Sequence, residues 1–270
     1  MSDTRTALAT RPRIGPLLDF DPDLGQFLPA DRVGEARKAL MVGVYRIVAG
    51  PWAPGRRAIV APTHLGLLVL DGLIAREVLT EDVISTELLG EGELLRPSCL
   101  APSPKLVHAT VRWSVLAEAR VAVLDGRATA ALGAYPEIIC TLMERVNSRA
   151  ERLTLTQAIC QLNRVDRRLL TLFWHLAERW GRMTVDGVRI PLTLSHRMLA
   201  QLVGARRPTV STALGELSRA GELVRCPDGS WLLTGEPTGA PLAEVQRQVL
   251  PRRKLIAPAA APRPEPVAAG

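Results

Sequence analysis

The stretch "LAQLVGARRPTVSTALGEL", Leu199 to Leu217, joins two short apolar-patterned segments at a single glycine, Gly204, and sets two arginines at the mouth of the second. A helix–turn–helix requires a small residue where its helices touch, a turn residue that tolerates positive φ, and apolar positions that lock one helix across the other. Ala200 supplies the small contact and Gly204, four residues on, the turn. Leu199, Val203, Val210, Ala213 and Leu214 supply the lock. Pro208 falls in the first turn of the second helix, where a missing N–H removes no hydrogen bond. The lock leaves Arg207, Thr209, Ser211, Thr212 and Glu216 on a free face. An arginine fork binds guanine O6 and N7 or grips a phosphate, and Ser and Thr hydroxyls reach phosphates. Ser195 is predicted to cap the first helix, where outward N–H groups favour a phosphate. The predicted DNA contacts are Ser195, His196, Arg206, Arg207, Thr209, Ser211 and Thr212. A plain helical hairpin with a solvated arginine pair is the alternative; the glycine elbow, the small residue and the hairpin that follows argue against it.

The flanks fit a small DNA-binding unit. Asp166 reads as the N-cap of "RRLLTLFWHLAERWG", which stops at Gly181. "VRIPLTLS" reads as extended because Pro191 disfavours helix. The helix from His196 ends at Val203, and the next runs from Arg207 to Ala220 with Gly221 as C-cap. "ELVRCPDGSWLLT" reads as a hairpin about Asp228-Gly229.

Upstream, the period changes. Pro136 opens a helix to Gln161 with apolar residues at Ile139, Leu142, Val146 and Leu153. A seam that narrow predicts a partner helix, so these four residues are the expected homodimer interface. From Ala39 to Asp125 the pattern is β-like: "ALMVGVYRIVAG", "RRAIVAP", "VISTELLGEGELLRP" and "HATVRWSVLAEARVAVLD" are short alternating or β-branched runs. Asp71-Gly72, inside Val69–Ile74, predicts a hairpin with a type I′ turn. So many short strands suggest a barrel or jelly roll.

Composition sets outer limits. The 270 residues suit two modest domains, and 47% hydrophobic content excludes global disorder. The net charge of +7 is uneven. Residues 1–162 balance 18 basic against 18 acidic residues, whereas 163–235 carry 11 arginines against 6 acids. A polyanionic partner is therefore expected for the second half. Arginine-rich coding is the bland alternative, since only three of the 34 basic residues are lysines. Cys99, Cys140, Cys160 and Cys226 form no CxxC and read as reduced, mostly buried thiols of a cytoplasmic protein, with no metal expected. No signal core and no membrane span are read from the sequence.

Residues 163–234 resemble the winged helix–turn–helix of the Crp/Fnr transcription regulators. "RVDRRLLTLFWHLAERWG" is similar to the family's helix before the motif, "IPLTLS" to its short strand, and "GELVRCPDGSWLLT" to its wing. The family's second helix commonly opens Ser-Arg-Glu-Thr-Val-Ser-Arg; here Arg206-Arg207-Pro208-Thr209-Val210-Ser211-Thr212 keeps Arg207, Thr209 and Ser211. Pro208 stands for the base-reading Glu and Thr212 for the second Arg, so the usual operator sequence is not expected.

The resemblance implies an α+β chain: an irregular segment (1–35), a cyclic-nucleotide-binding-like β-roll or jelly-roll sensor domain (36–134), a long dimerisation helix (135–162), the winged helix–turn–helix (163–235) and a disordered Ala/Pro-rich tail (236–270). It also implies a homodimer on double-stranded DNA, with RNA polymerase as a candidate partner. "LLGEGELLRP" is similar to the family's Gly-Glu segment, with Gly90 and Glu91 as the match, which makes Glu91 the one effector-binding candidate. The Arg-Ser/Thr-Ala segment that clamps a cyclic phosphate has no counterpart in "PSCLAPSPKLVHATVRW"; Lys105 and Arg112 are wrongly embedded, and Arg112 reads as an outward strand residue. No cofactor and no cyclic nucleotide are expected. His64 and His108 read as structural or surface residues.

Two other readings stand beside this one. A cupin-like metal enzyme would need His and carboxylate ligands facing one lumen, and only four histidines exist, two of them in the helical half. A DNA-binding-deficient adaptor of the same fold draws on Pro208 and Thr212. No catalytic residue is expected.

Overall fold

A computed structural model describes residues 11–54, 63–97 and 106–236. Prolines punctuate its first thirty residues. Strand β1 (Arg13–Pro16) ends on Pro16, and helix α1 (Leu17–Phe20) begins directly after it. A 3₁₀ turn (Pro22–Gly25) starts on Pro22, and α2 (Ala30–Ala39) follows Pro29. Proline's fixed φ suits a first helical turn. The expected irregular segment 1–35 is thus corrected from residue 11 onward, and α2 crosses its boundary. The ordering has a cause in burial: Leu17, Leu18, Leu24 and Leu28 are all buried.

The roll is antiparallel. β2 (Met41–Ile47), β3 (Gly50–Trp52), β4 (Gly66–Thr80), β5 (Val83–Leu89), β6 (Leu94–Leu95) and β7 (Thr110–Leu124) join β1 in the order β1-β2-β7-β4-β5, with β3 paired to β7 and β6 to β4. Both faces are covered where β4 begins. Leu68 and Leu70 enter one core with Leu17, Val44 and Leu124, while Leu67 and Val69 enter another with Trp52, Leu89 and Val121. Successive strand residues point to opposite faces, so burial on both sides explains the unbroken apolar run "LLVL".

The expected hairpin at Asp71-Gly72 is not there. β4 runs straight through, and its register against β7 shifts between Val69 and Ile74. Asp71 accepts from the Arg120 amide (2.9 Å) and its Nε (2.5 Å), which fixes a bulge rather than a turn. Gly72 has φ +91°, and a Cβ there would lie 2.4 Å from the Ala119 Cα. The glycine therefore marks a close backbone approach. "RRAIVAP" and residues 98–105, with Cys99 and Lys105, lie outside the described residues, as do residues 1–10 and all of the 236–270 tail beyond Glu236. Arg112 is an outward strand residue, as expected, paired with Glu77 at 3.2 Å.

Helix α3 (Gly126–Leu132) is capped by Asp125, whose side chain accepts from the Ala128 N–H at 2.9 Å. The long helix α4 (Pro136–Cys160) follows. Its predicted seam splits. Leu142 is 3% exposed and packs into its own protomer's core with Tyr135 and Ile138, so it is not available to a partner. Leu142 lies beside Ile138 on the stripe that the protomer's own roll covers, and spacing alone does not tell that stripe from the outward one. Ile139, Val146 and Leu153 remain outward, joined by Met143 and Leu155.

The remaining elements are α5 (Val165–Trp180), β8 (Arg182–Thr184), β9 (Gly187–Ile190), α6 (His196–Val203), α7 (Arg207–Arg219), β10 (Leu223–Arg225) and β11 (Trp231–Leu233), with sheet order β10-β11-β9-β8. Asp166 is not the N-cap of α5. Arg164 holds that position and binds both Asp166 carboxylate oxygens, at 3.1 and 2.7 Å, with Asp166 inside the first turn. β8 was not anticipated, although Asp186-Gly187 turns it into β9. A third core unites Phe173, Leu199, Val203, Val210, Leu214 and Trp231 with Leu73, Ala75 and Leu88 of the roll. No described helix is long and apolar enough to cross a membrane. Among the described residues no three His, Cys, Asp or Glu gather as a metal set; His64 is buried and His108 exposed, and the expected burial of the cysteines is corrected, with Cys140 exposed on α4 and Cys160 and Cys226 only half-buried.

Candidate nucleic-acid interface

Ser195 caps α6 as predicted, its Oγ accepting from the Met198 N–H at 3.2 Å. The helix ends at Gly204, which adopts φ +60° and ψ +45°. An L side chain there would carry left-handed strain, which glycine avoids. The Gly204 and Ala205 N–H groups both turn back to the Ala200 carbonyl. The last carbonyls of α6 also find partners. Arg168 of α5 donates to Val203 O (3.2 Å) and Gly204 O (3.3 Å), and Cys160 Sγ donates to Leu202 O at 3.4 Å. A cation at a helix C-terminus is favourable for the dipole, so Arg168 pins the elbow twice over. Burial pushes the Cys160 thiol up, in keeping with its donor role.

From that elbow α7 emerges with Val210, Ala213, Leu214 and Leu217 buried. The opposite arc is open: Arg206, Arg207, Pro208, Thr209, Ser211, Thr212 and Glu216 are exposed. Arg206 occupies the N-cap position and no side chain caps the helix, so its first N–H groups face solvent. Arg197, Arg206 and Arg207 make no ion pair with any described carboxylate. Three guanidinium groups therefore stand uncommitted around two helix N-termini, where the macrodipole also favours an anion.

The polar residues behave less uniformly. His196 Nδ1 lies 2.9 Å from Ser211 Oγ, which ties the start of α6 to the second turn of α7. Thr212 Oγ1 donates back to the Pro208 carbonyl at 3.3 Å. Ser195, Arg206, Arg207 and Thr209 thus line an open face, while His196, Ser211 and Thr212 belong to the same surface but are engaged within the motif. Sequence reading missed Arg197, which its position beside the Ser195 cap could have suggested. It also missed Arg168, for which no local signal exists because 36 residues separate it from Gly204.

The wing follows. β10 and β11 form the predicted hairpin about Asp228-Gly229, and Gly229 has φ +82°. Asp228 Oδ1 accepts from the Ser230 hydroxyl (2.5 Å) and amide (3.0 Å), which hold its carboxyl below the usual carboxylate range. Arg189 of β9 reaches the same carboxylate at 3.3 Å, so the tip is braced against the next strand. Trp231 anchors the base of the wing, its ring 4.8 Å from that of Phe173.

Glu91, the effector candidate, sits on the exposed turn between β5 and β6. It lines a cleft of about 850 Å³ whose described walls also include Arg152 of α4 and His175, Arg179 and Trp180 of α5. The buried acid of that turn is its neighbour Glu93.

Two helices crossed at a left-handed glycine, bare arginines at the mouth of the second, and a braced β-wing define a winged helix–turn–helix DNA-binding protein. A family model described as a Crp-like helix-turn-helix domain matches residues 163–229. The chain is similar to the regulatory protein CysR of Synechococcus elongatus, with 32% identity over 182 residues, covering 63% of this chain and 78% of that protein. It is also 29% identical over 94 residues to the global nitrogen regulator of a Synechocystis species, covering 35% and 41% of the two chains. Among solved structures, a cyclic nucleotide-binding domain containing protein from Listeria monocytogenes superposes with TM-score 0.58 at 14% identity, over 78% of this chain and 96% of that one. A mutant of CooA from Carboxydothermus hydrogenoformans gives 0.54 at 17% over 72% and 84%. At such identities these two structures speak for the fold. The chain belongs to the Crp/Fnr family of DNA-binding transcription regulators.

Proposed function

We propose that the chain binds a two-fold operator as a homodimer, with α7 of each protomer entering the major groove. The observation that carries this reading is the exposure of Arg206 and Arg207, without an ion pair among the described residues, at the uncapped start of a helix whose other face is locked. Arg207 then reads a base edge, Arg206 and Arg197 grip phosphates, and Ser195 and Thr209 add neutral phosphate contacts. His196 and Ser211 hold the two helices in register, and the wing rests on the backbone. Outward Ile139, Val146 and Leu153 of α4 pair the protomers and set the half-site spacing near one helical turn, about 34 Å.

Pro208 and Thr212 give α7 a different set of base contacts from the family's usual one, so the operator is read mainly through Arg207. The roll works without a cyclic nucleotide, since the stretch after the Gly-Glu segment, "PSCLAPSPKLVHATVRW", holds no Arg-Ser/Thr-Ala clamp; calorimetric titration with cAMP checks this and should show no heat of binding. Contact with RNA polymerase belongs to the same reading, as does a role without catalysis.

Recovery of bound fragments across a genome tests the proposal: a palindromic site is the expected result. With such a site in hand, Arg207→Ala should weaken binding by about 1–3 kcal/mol and relax discrimination at one position per half-site. An unchanged affinity in gel-shift titration would remove Arg207 from the interface.

A further inference from the structure

One carboxylate joins three parts of the molecule. Glu93, on the turn between β5 and β6, is 3% exposed. Its Oε1 accepts from Arg152 Nη2 of α4 and from Arg179 Nη1 of α5, both at 2.6 Å. Its Oε2 lies 3.7 Å from Arg149 Nε, whose guanidinium is otherwise held by Glu87 at 2.7 and 2.8 Å. The second arm of Arg179 donates to the Glu91 carbonyl at 2.6 Å, and its plane lies over the Trp180 ring. The backbone of Glu93 is fixed as well, since its carbonyl accepts from the Val69 amide at 2.9 Å.

The two helices it joins have separate tasks. α4 carries the outward apolar residues, and α5 is the core helix against which α7 packs. Only four residues, 161–164, connect them. Apolar packing between the helices is non-directional, whereas a carboxylate shared by two guanidinium groups fixes distance and angle. Two heads that grip half-sites one helical turn apart need a fixed angle; a single head on one half-site does not.

We infer that Glu93 is a positioning residue for DNA recognition: it sets the angle at which the reading head leaves the pairing helix, and so controls the joint grip on two half-sites without touching DNA. The inference rests on the paired reading proposed above. It predicts a split that simple loss of structure would not give.

The test uses the full chain and two duplexes. One is selected from a random pool by the wild-type protein, and the other is the same duplex with one half-site scrambled. Wild type should prefer the intact duplex strongly. Glu93→Gln should lower affinity for the intact duplex about tenfold or more and leave the single half-site within about twofold. Arg179→Gln, which leaves Glu93 paired with Arg152, should show the same split, and serves if Glu93→Gln does not fold. An unchanged ratio in a folded variant, or an equal fall on both duplexes, overturns the inference. A wild-type protein that binds both duplexes equally overturns the paired reading itself, and the role of Glu93 with it.

Discussion

Gly204 turns the chain at φ +60°, and a Cβ built there would meet nothing closer than Cys160 Sγ at 3.9 Å. Space is therefore not the constraint; the dihedral is. Gly204→Ala should destabilise the protein by about 1–2 kcal/mol, the usual strain of a left-handed L residue, and a shift of the denaturation midpoint at constant slope would measure it. Arg168 answers a different need. It satisfies carbonyls left open at the elbow, and removing it would unpin the turn without touching the apolar lock. The open face of α7 thus depends on two residues at the elbow behind it, one of them legible from its residue type and the other only from the fold.

At the scale of elements, α4 has two faces with separable effects. Leu142→Ala should cost about 2–5 kcal/mol of fold stability, since it empties a filled core position. Leu153→Glu should leave the protomer folded and shift sedimentation toward the monomer. If Leu153→Glu left the association state untouched, α4 would not be the pairing helix. The same contrast shows what local pattern can tell. Helix spans came through well: α4, α6 and α7 begin where the proline, serine and arginine signals placed them. The direction of each face did not, because a helix covered on one side by its own roll presents two apolar stripes, and spacing alone does not say which is outward. Asp71-Gly72 misled for a related reason. The dipeptide marks positive φ at glycine, and a bulge needs that as much as a hairpin does. The N-terminal helices escaped notice because they are short and punctuated by proline, with burial rather than period ordering them. Of the seven residues predicted to contact DNA, six are exposed and His196 is half-buried; the engagement of Ser211 by His196 was not legible, since it joins separate helices.

For the whole molecule, charge divides as the chain does: balanced through residue 162 and basic beyond it. Of Arg197, Arg206 and Arg207, which make no ion pair among the described residues, Arg197 and Arg206 grip phosphate in the proposed reading, two per head and four in a pair. The logarithm of operator affinity should fall against the logarithm of salt with a slope of the order of −4, and Arg206→Ala should reduce its size by about 2. A slope near zero across a salt titration would mean that these arginines meet no phosphate. The domain order was legible because the period changes at Pro136 and the charge balance changes beyond residue 162. The joint between the domains was not legible. Nothing local in "ELLGEGELL" separates an acid that faces solvent, Glu91, from one sunk between two helices, Glu93.

Leu73, Ala75 and Leu88 of the roll share one buried layer with Leu172, Leu176 and Leu202 of the C-terminal half. The two halves are accordingly not interchangeable modules. Transplanting this DNA-reading half onto another sensory partner would leave a greasy seam with no matching surface, so any lineage that reshuffled such parts would have had to recarve both sides of the joint together.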